Sequence, residues 1–167
     1  MFEIGNIVMH PSAGVCCIED IREEKLTDKK RMYYIMHPLS DQKKSTLYVP
    51  VDTDKLRLRK LMSKEEIIYV IKHSATEDIE WIDNNNLRKS AYLNIVRSDD
   101  ISKIIALLIK LHKRKNSLLE TGKKFSASDE RIMHDAEKKI FQEFSHSLKI
   151  QEEHVPEFIM TQLLEKN

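Results

Sequence analysis

Seven histidines and two cysteines are the residues best suited to metal or nucleophile chemistry, and their spacing builds neither. His10, His37, His73, His112, His134, His146 and His154 form no HExxH and no pair at helical spacing with a third ligand nearby, which a zinc site would need. Cys16 and Cys17 are adjacent, so on a strand their side chains point to opposite faces and cannot close on one metal ion. They read as reduced packing residues. Gly5, Gly14 and Gly122 are too scattered to cradle a phosphate, and there is no GxSxG. The acidic pairs Asp99-Asp100 and Glu152-Glu153 fit first helical turns, where carboxylates complement the helix dipole. The chain therefore reads as a binding protein and not an enzyme, with no cofactor and no metal.

Two features suit binding. The only tryptophan, Trp81, stands in "HSATEDIEWIDNNNLRKS" among Glu77, Asp78, Glu80 and Asp83. A single Trp in a helical domain is most often a core anchor, so its burial decides between packing and recognition. The second feature is charge: the formal net charge is only +1, yet "KLHKRKNSLLETGKK" gathers Lys110, Lys113, Arg114, Lys115, Lys123 and Lys124 against Glu120 alone. Such a patch suits phosphates, whereas basic residues near a helix C-terminus can also simply oppose its dipole.

The elements that must position these residues fall into two halves. The first sixty residues read as strands closed by turn chemistry: "NIVMH" at "PSAG", "VCCIEDIREEKL" at "TDKK", "RMYYIMHPL" at "SDQKKS", "TLYVPV" at "DTDK", then "LRLR". From Ser63 onward there are one proline and one glycine, as long helices require. Helices are expected from Ser63, with Glu66 at capping-box spacing, and near Ser74 to Thr76, with Glu77 spaced alike. Others are expected near Asp99, near Ser126 to Ser128, and over "VPEFIMTQLL" with Pro156 in the first turn. Ile101, Ile104, Ile105, Leu108 and Leu111 make the third the centre of a bundle, closed by Ile132, Ala136, Ile140, Phe141, Phe144 and Leu148 of the fourth. A helix running unbroken from Thr76 puts Arg88 on the same face as Trp81, with Lys89 beside it.

The fold class is thus α+β in two domains, a small β-barrel-like module over residues 1–62 and an all-α helical bundle over residues 63–167, with no Gly/Ser linker between them. At 33% charged and 41% hydrophobic residues the chain is expected to be folded. It has no run of the roughly 20 apolar residues that a bilayer span needs and no signal-peptide layout at its start, so a cytoplasmic location and a monomer are expected.

In order and spacing, "FEIGNIVMHPSAGVCCIEDI", "LYVPVDT", the lone Trp81, "SDDISKIIALLIKLHKRK" and "GKKFSASDERIMHDAEKKIFQEFS" together resemble the CarD/CdnL family of bacterial transcription regulators. The N-terminal module of that family is shared with the transcription-repair coupling factor. The resemblance implies a Tudor-like module that docks on the RNA polymerase β subunit, and a helical domain that reaches promoter DNA at the upstream edge of the transcription bubble. There the tryptophan wedges at the minor groove and holds the open complex. It assigns DNA contact to Trp81, Arg88, Lys89, Lys113, Arg114, Lys115, Lys123 and Lys124, and polymerase contact to Glu24, Leu47, Tyr48 and Val49. The chain departs from the family where "IDNNN" follows Trp81 in place of the basic residues of many relatives, and where Tyr48 and Glu24 stand at positions that are basic in some relatives. The other function the sequence allows is a polymerase-binding adaptor whose helical domain meets a protein and not DNA.

Overall fold

The computed structural model describes residues 1–42, 45–54 and 57–165; parts of the expected "SDQKKS" and "DTDK" turns and of the "LRLR" strand lie outside them. The chain divides into two compact units, Met1–Leu61 and Met62–Asn167. No helix among the described residues is long and apolar enough to cross a membrane.

The first unit holds β1 (Ile7–His10), β2 (Gly14–Glu24), β3 (Arg31–Pro38), β4 (Leu47–Pro50) and β5 (Arg59–Lys60) in one antiparallel sheet of order β4-β3-β2-β1-β5. The four turn-closed runs expected as strands form β1 to β4, and of "LRLR" only Arg59 enters β5. The sheet is not closed: β4 and β5 are its two edges, so the expected barrel is here an open sheet. The edge strands are the reason, because four and two residues offer too few rungs to zip together. A register shift between Ile18 and Asp20 bends β2, as a bulge does. Val8, Cys16, Ile18, Tyr34, Met36 and Val49 form the core.

The β1–β2 turn has its own lock. Gly14 takes φ 77°, a conformation an L side chain resists. Buried His10 accepts the Ser12 N–H at 3.2 Å and the Ala13 N–H at 3.0 Å on Nδ1. Burial lowers the His10 pKa, which favours the neutral ring that this acceptor role requires.

In the second unit α1 (Lys64–Ser74) starts at the expected capping box of Ser63 and Glu66. The next expected start fails. Buried Ser74 donates its hydroxyl to the Ile71 carbonyl and Thr76 to that of His73, so both finish α1 and neither caps a following helix. Residues 77–82 have no regular structure. The second helix, α2 (Asn85–Arg97), begins nine residues later, where Asn84 accepts the N–H groups of Asn86 and Leu87. Then come α3 (Ile101–Glu120), capped by Asp100, α4 (Ala127–Leu148), capped by Ser126, and α5 (Val155–Leu164), with Pro156 in its first turn as expected. Within Ile101–Leu108 only Lys103 is exposed, so α3 is the central helix; it packs against α1, α2 and α4. Full burial of Ile104, Ile105, Leu107 and Leu111 contributes about 1.5–3 kcal/mol each, which is why this helix organises the others.

Candidate nucleic-acid interface

Trp81 lies in the irregular segment between α1 and α2, so the carboxylates of Glu77, Asp78 and Glu80 are not in a helical first turn and no helix dipole offsets them. What fixes the segment is α2. The guanidinium of Arg88 donates from one terminal nitrogen to the Ile82 and Asp83 carbonyls at 2.8 and 3.2 Å. One turn on, the hydroxyl of fully buried Tyr92 donates to the Glu80 carbonyl at 2.8 Å. Burial pushes the Tyr92 hydroxyl up, which keeps its proton in place for that bond. The backbone is therefore held on both sides of Trp81.

The indole is half-buried. Its ring packs edge-on to Tyr92, with centroids 6.1 Å apart, and two guanidinium carbons lie over it: Arg88 at 4.5 Å and Arg114 at 4.9 Å from the centroid. Trp81 is thus a core-edge residue with an accessible part, and neither a deep anchor nor a free ring.

Arg88 does share a site with Trp81, though by packing and not by a common helix. The side chain expected to reach DNA is turned into the protein. It is buried and bonds to Asp129 through Nε at 2.9 Å and a terminal nitrogen at 2.8 Å. With Ile82, Asp83 and the Asn85 side chain, these acceptors engage all five of its N–H donors. The neighbouring carboxylate holds the guanidinium above its ordinary pKa, firmly charged. Two of the three asparagines that depart from the family pattern have internal work as well: Asn84 caps α2 and Asn85 accepts from Arg88.

The run Lys113-Arg114-Lys115 does not end α3, which continues to Glu120, beyond the last-turn range of the dipole. At 3.6 residues per turn, consecutive residues point about 100° apart. Accordingly Arg114 covers Trp81, Lys115 pairs with Glu130 of α4 at 2.9 Å, and Lys113 borders a groove towards Met160 of α5. Lys115 is therefore engaged within the protein. Gly122, at φ 70°, closes α3 with its own N–H on Leu119 and the Lys123 N–H on the Leu118 carbonyl. Lys89, Lys123 and Lys124 are exposed, and among the described residues no hydrogen bond, ion pair or ring contact ties them to the indole.

In the first unit, Leu47, Tyr48 and Val49 form the edge strand β4. The Val51 N–H donates to the Met32 carbonyl at 3.0 Å, and antiparallel alternation makes Tyr34–Val49 and Met36–Leu47 the next hydrogen-bonded pairs. The N–H and carbonyl of Tyr48 then point away from the sheet. Tyr48 is exposed and packs edge-on to Tyr33. The Val49 side chain is core, at 3% exposure, so only its strand position can serve a partner. Glu24 closes β2 and is paired with Arg22 at 2.6 Å. Sequence reasoning missed Tyr92 and Asp129; the signals were the Arg88–Tyr92 spacing of four and an Asp three residues after the Ser126 cap.

Burial, with Cys17 beside it, pushes the Cys16 thiol up to about 11, so it keeps its proton at neutral pH. No curated protein was found to match the chain. A family model described as the CarD-like/TRCF RID domain matches residues 2–62, with residues 63 onward outside it, and the N-terminal unit is accordingly a CarD-like, polymerase-interacting module.

Proposed function

We propose that the protein docks on the RNA polymerase β subunit through β4 and holds the promoter open complex through Trp81, set at the minor groove on the upstream edge of the bubble. The match of residues 2–62 carries the polymerase half of this reading. The outward N–H and carbonyl of Tyr48 suit strand addition, in which main-chain bonds supply affinity and side-chain identity matters less. That accommodates Tyr48 and Glu24 where some relatives have basic residues.

The clamped segment and half-buried indole support the DNA half. Base–aromatic stacking is worth about 1–3 kcal/mol, while releasing one cation–π contact costs about 0.5–1 kcal/mol. Stacking wins, and Arg114 once released can meet a phosphate. Arg88 stays with Asp129 and serves as a positioning residue. Arg114, Lys113, Lys89, Lys123 and Lys124 are the cations left for DNA. The setting is the cytoplasm, with one copy of the chain per polymerase. Trp81→Ala is expected to leave polymerase binding unchanged and to shorten open-complex lifetime about tenfold; an unchanged lifetime rejects the wedge.

The adaptor reading draws on the loss of Arg88 and Lys115 from the patch and on exposed Leu87 and Leu119, at 64% and 59%. It predicts that complex formation by the helical unit depends little on salt, whereas phosphate contact makes it fall steeply.

A further inference from the structure

Behind the basic segment, α3, α4 and α5 enclose a recess of about 340 Å³, within the range of small-ligand sites. Its polarity is graded along one face of α3. Ile105, Leu108 and Ile109 line one end, and His112, Lys113 and Asn116 follow on the same face at the other. Ile140 of α4 and Ile159 of α5 complete the apolar end, both buried. Met160, half exposed, stands at the mouth.

No Asp or Glu lines the recess. His112 is held by Glu137 at 2.9 Å, whereas Lys113 has no ion pair among the described residues. A charged group entering the polar end therefore meets the Lys113 ammonium, the Asn116 amide and the His112 ring, whose partner Glu137 is outside the lining, while Glu77 and Asp78 border the adjoining recess that shares Lys113. The apolar end is a concavity and not a flat face: its lining is mostly buried, and a docked helix would need on the order of 800 Å² of surface per partner.

We propose that this recess binds one amphipathic anion with a single hydrocarbon chain, of the medium-chain carboxylate class. The chain lies over Ile105, Ile140 and Ile159, and the carboxylate faces Lys113 and Asn116. The site is separate from the indole contacts of Arg88 and Arg114 and does not rest on the DNA reading, although it shares Lys113 with the cations assigned there to DNA.

Calorimetric titration of the full chain with dodecanoate, kept below its micelle-forming concentration, tests this. One saturable site is expected, with binding at least about tenfold weaker for dodecyltrimethylammonium, whose charge is opposite. Met160→Glu at the mouth, a substitution at an exposed position that circular dichroism can check for folding, is expected to weaken dodecanoate by a similar factor, and Lys113→Gln to weaken it while sparing dodecanol. The proposal is overturned by absence of saturable binding, by equal binding of the anion and the cation, or by binding that ignores both substitutions.

Discussion

The guanidinium carbon of Arg114 sits 4.9 Å from the centre of the Trp81 ring, so the residue proposed to meet phosphate also covers the residue proposed to meet a base. In the free protein the two partner each other. Removing Arg114 should therefore uncover the indole without disturbing the bundle. Because Trp81 is the only tryptophan, its fluorescence reports the change directly. Arg114→Ala is expected to raise acrylamide quenching clearly while the helical circular dichroism stays constant; unchanged quenching would show that the contact does not shield the ring.

Arg88 and Asp129 form an ion pair with side chains only 6% and 4% exposed. Breaking such a pair strands a buried charge, a loss of about 3–5 kcal/mol. Arg88→Ala is expected to lower the denaturant midpoint of the helical unit accordingly. Replacing both members with apolar residues, Arg88→Met with Asp129→Leu, should restore much of it but not the hold on residues 82 and 83. Double-mutant chemical denaturation, with Trp81 emission as the local probe, separates the two effects.

The outward backbone of Tyr48 makes a sharp contrast with its neighbour. Proline removes an N–H, and at position 48 that N–H belongs to no bond within the sheet, whereas the Val49 N–H points to β3. Tyr48→Pro should keep the first unit folded and abolish capture by the isolated β-subunit lobe. Val49→Pro should lose the fold as well. Capture by Tyr48→Pro at the wild-type level would remove β4 from the docking surface.

His10 gives the first unit a dependence on acidity. Its folded-state pKa is lowered by burial from the ordinary 6.5, so below that value the unfolded chain binds the proton more readily. Stability is full above pH 6.5, falls as the pH drops through it, and levels off below the folded-state value. Amide exchange of the first unit's core strands, compared at pH 7.5 and 5.5 after correction for intrinsic rates, should reveal the loss, and His10→Asn should flatten it.

Most of the fold was legible in the sequence because strands, caps and stripes are local signals. Ser63 with Glu66, Asp100, Ser126 and Pro156 each mark a helix start on the spot. Ser74 with Glu77 carried the same spacing, yet whether a hydroxyl caps the next helix or closes the previous one depends on burial, and Ser74 is buried in the bundle. The site was legible by residue and not by role. Trp81, Arg88 and Arg114 do meet, but Arg88 is held there by Asp129, 41 residues away on another helix, a partnership no local window contains. The open sheet escaped for a related reason: closure depends on how far two short edge strands reach, not on whether they are strands.

The fan of three consecutive cations around α3 turns chain length into a variable under constraint. A single residue inserted between Ile101 and Lys113 would advance every later side chain by one step of about 100°, delivering each ammonium or guanidinium to its neighbour's partner. The same insertion between Glu120 and Ser126 would lengthen a turn and rotate nothing within α3. Tolerance to insertion and deletion should therefore change abruptly at Glu120, with the helix before it behaving as an indexed shaft and the turn after it as slack.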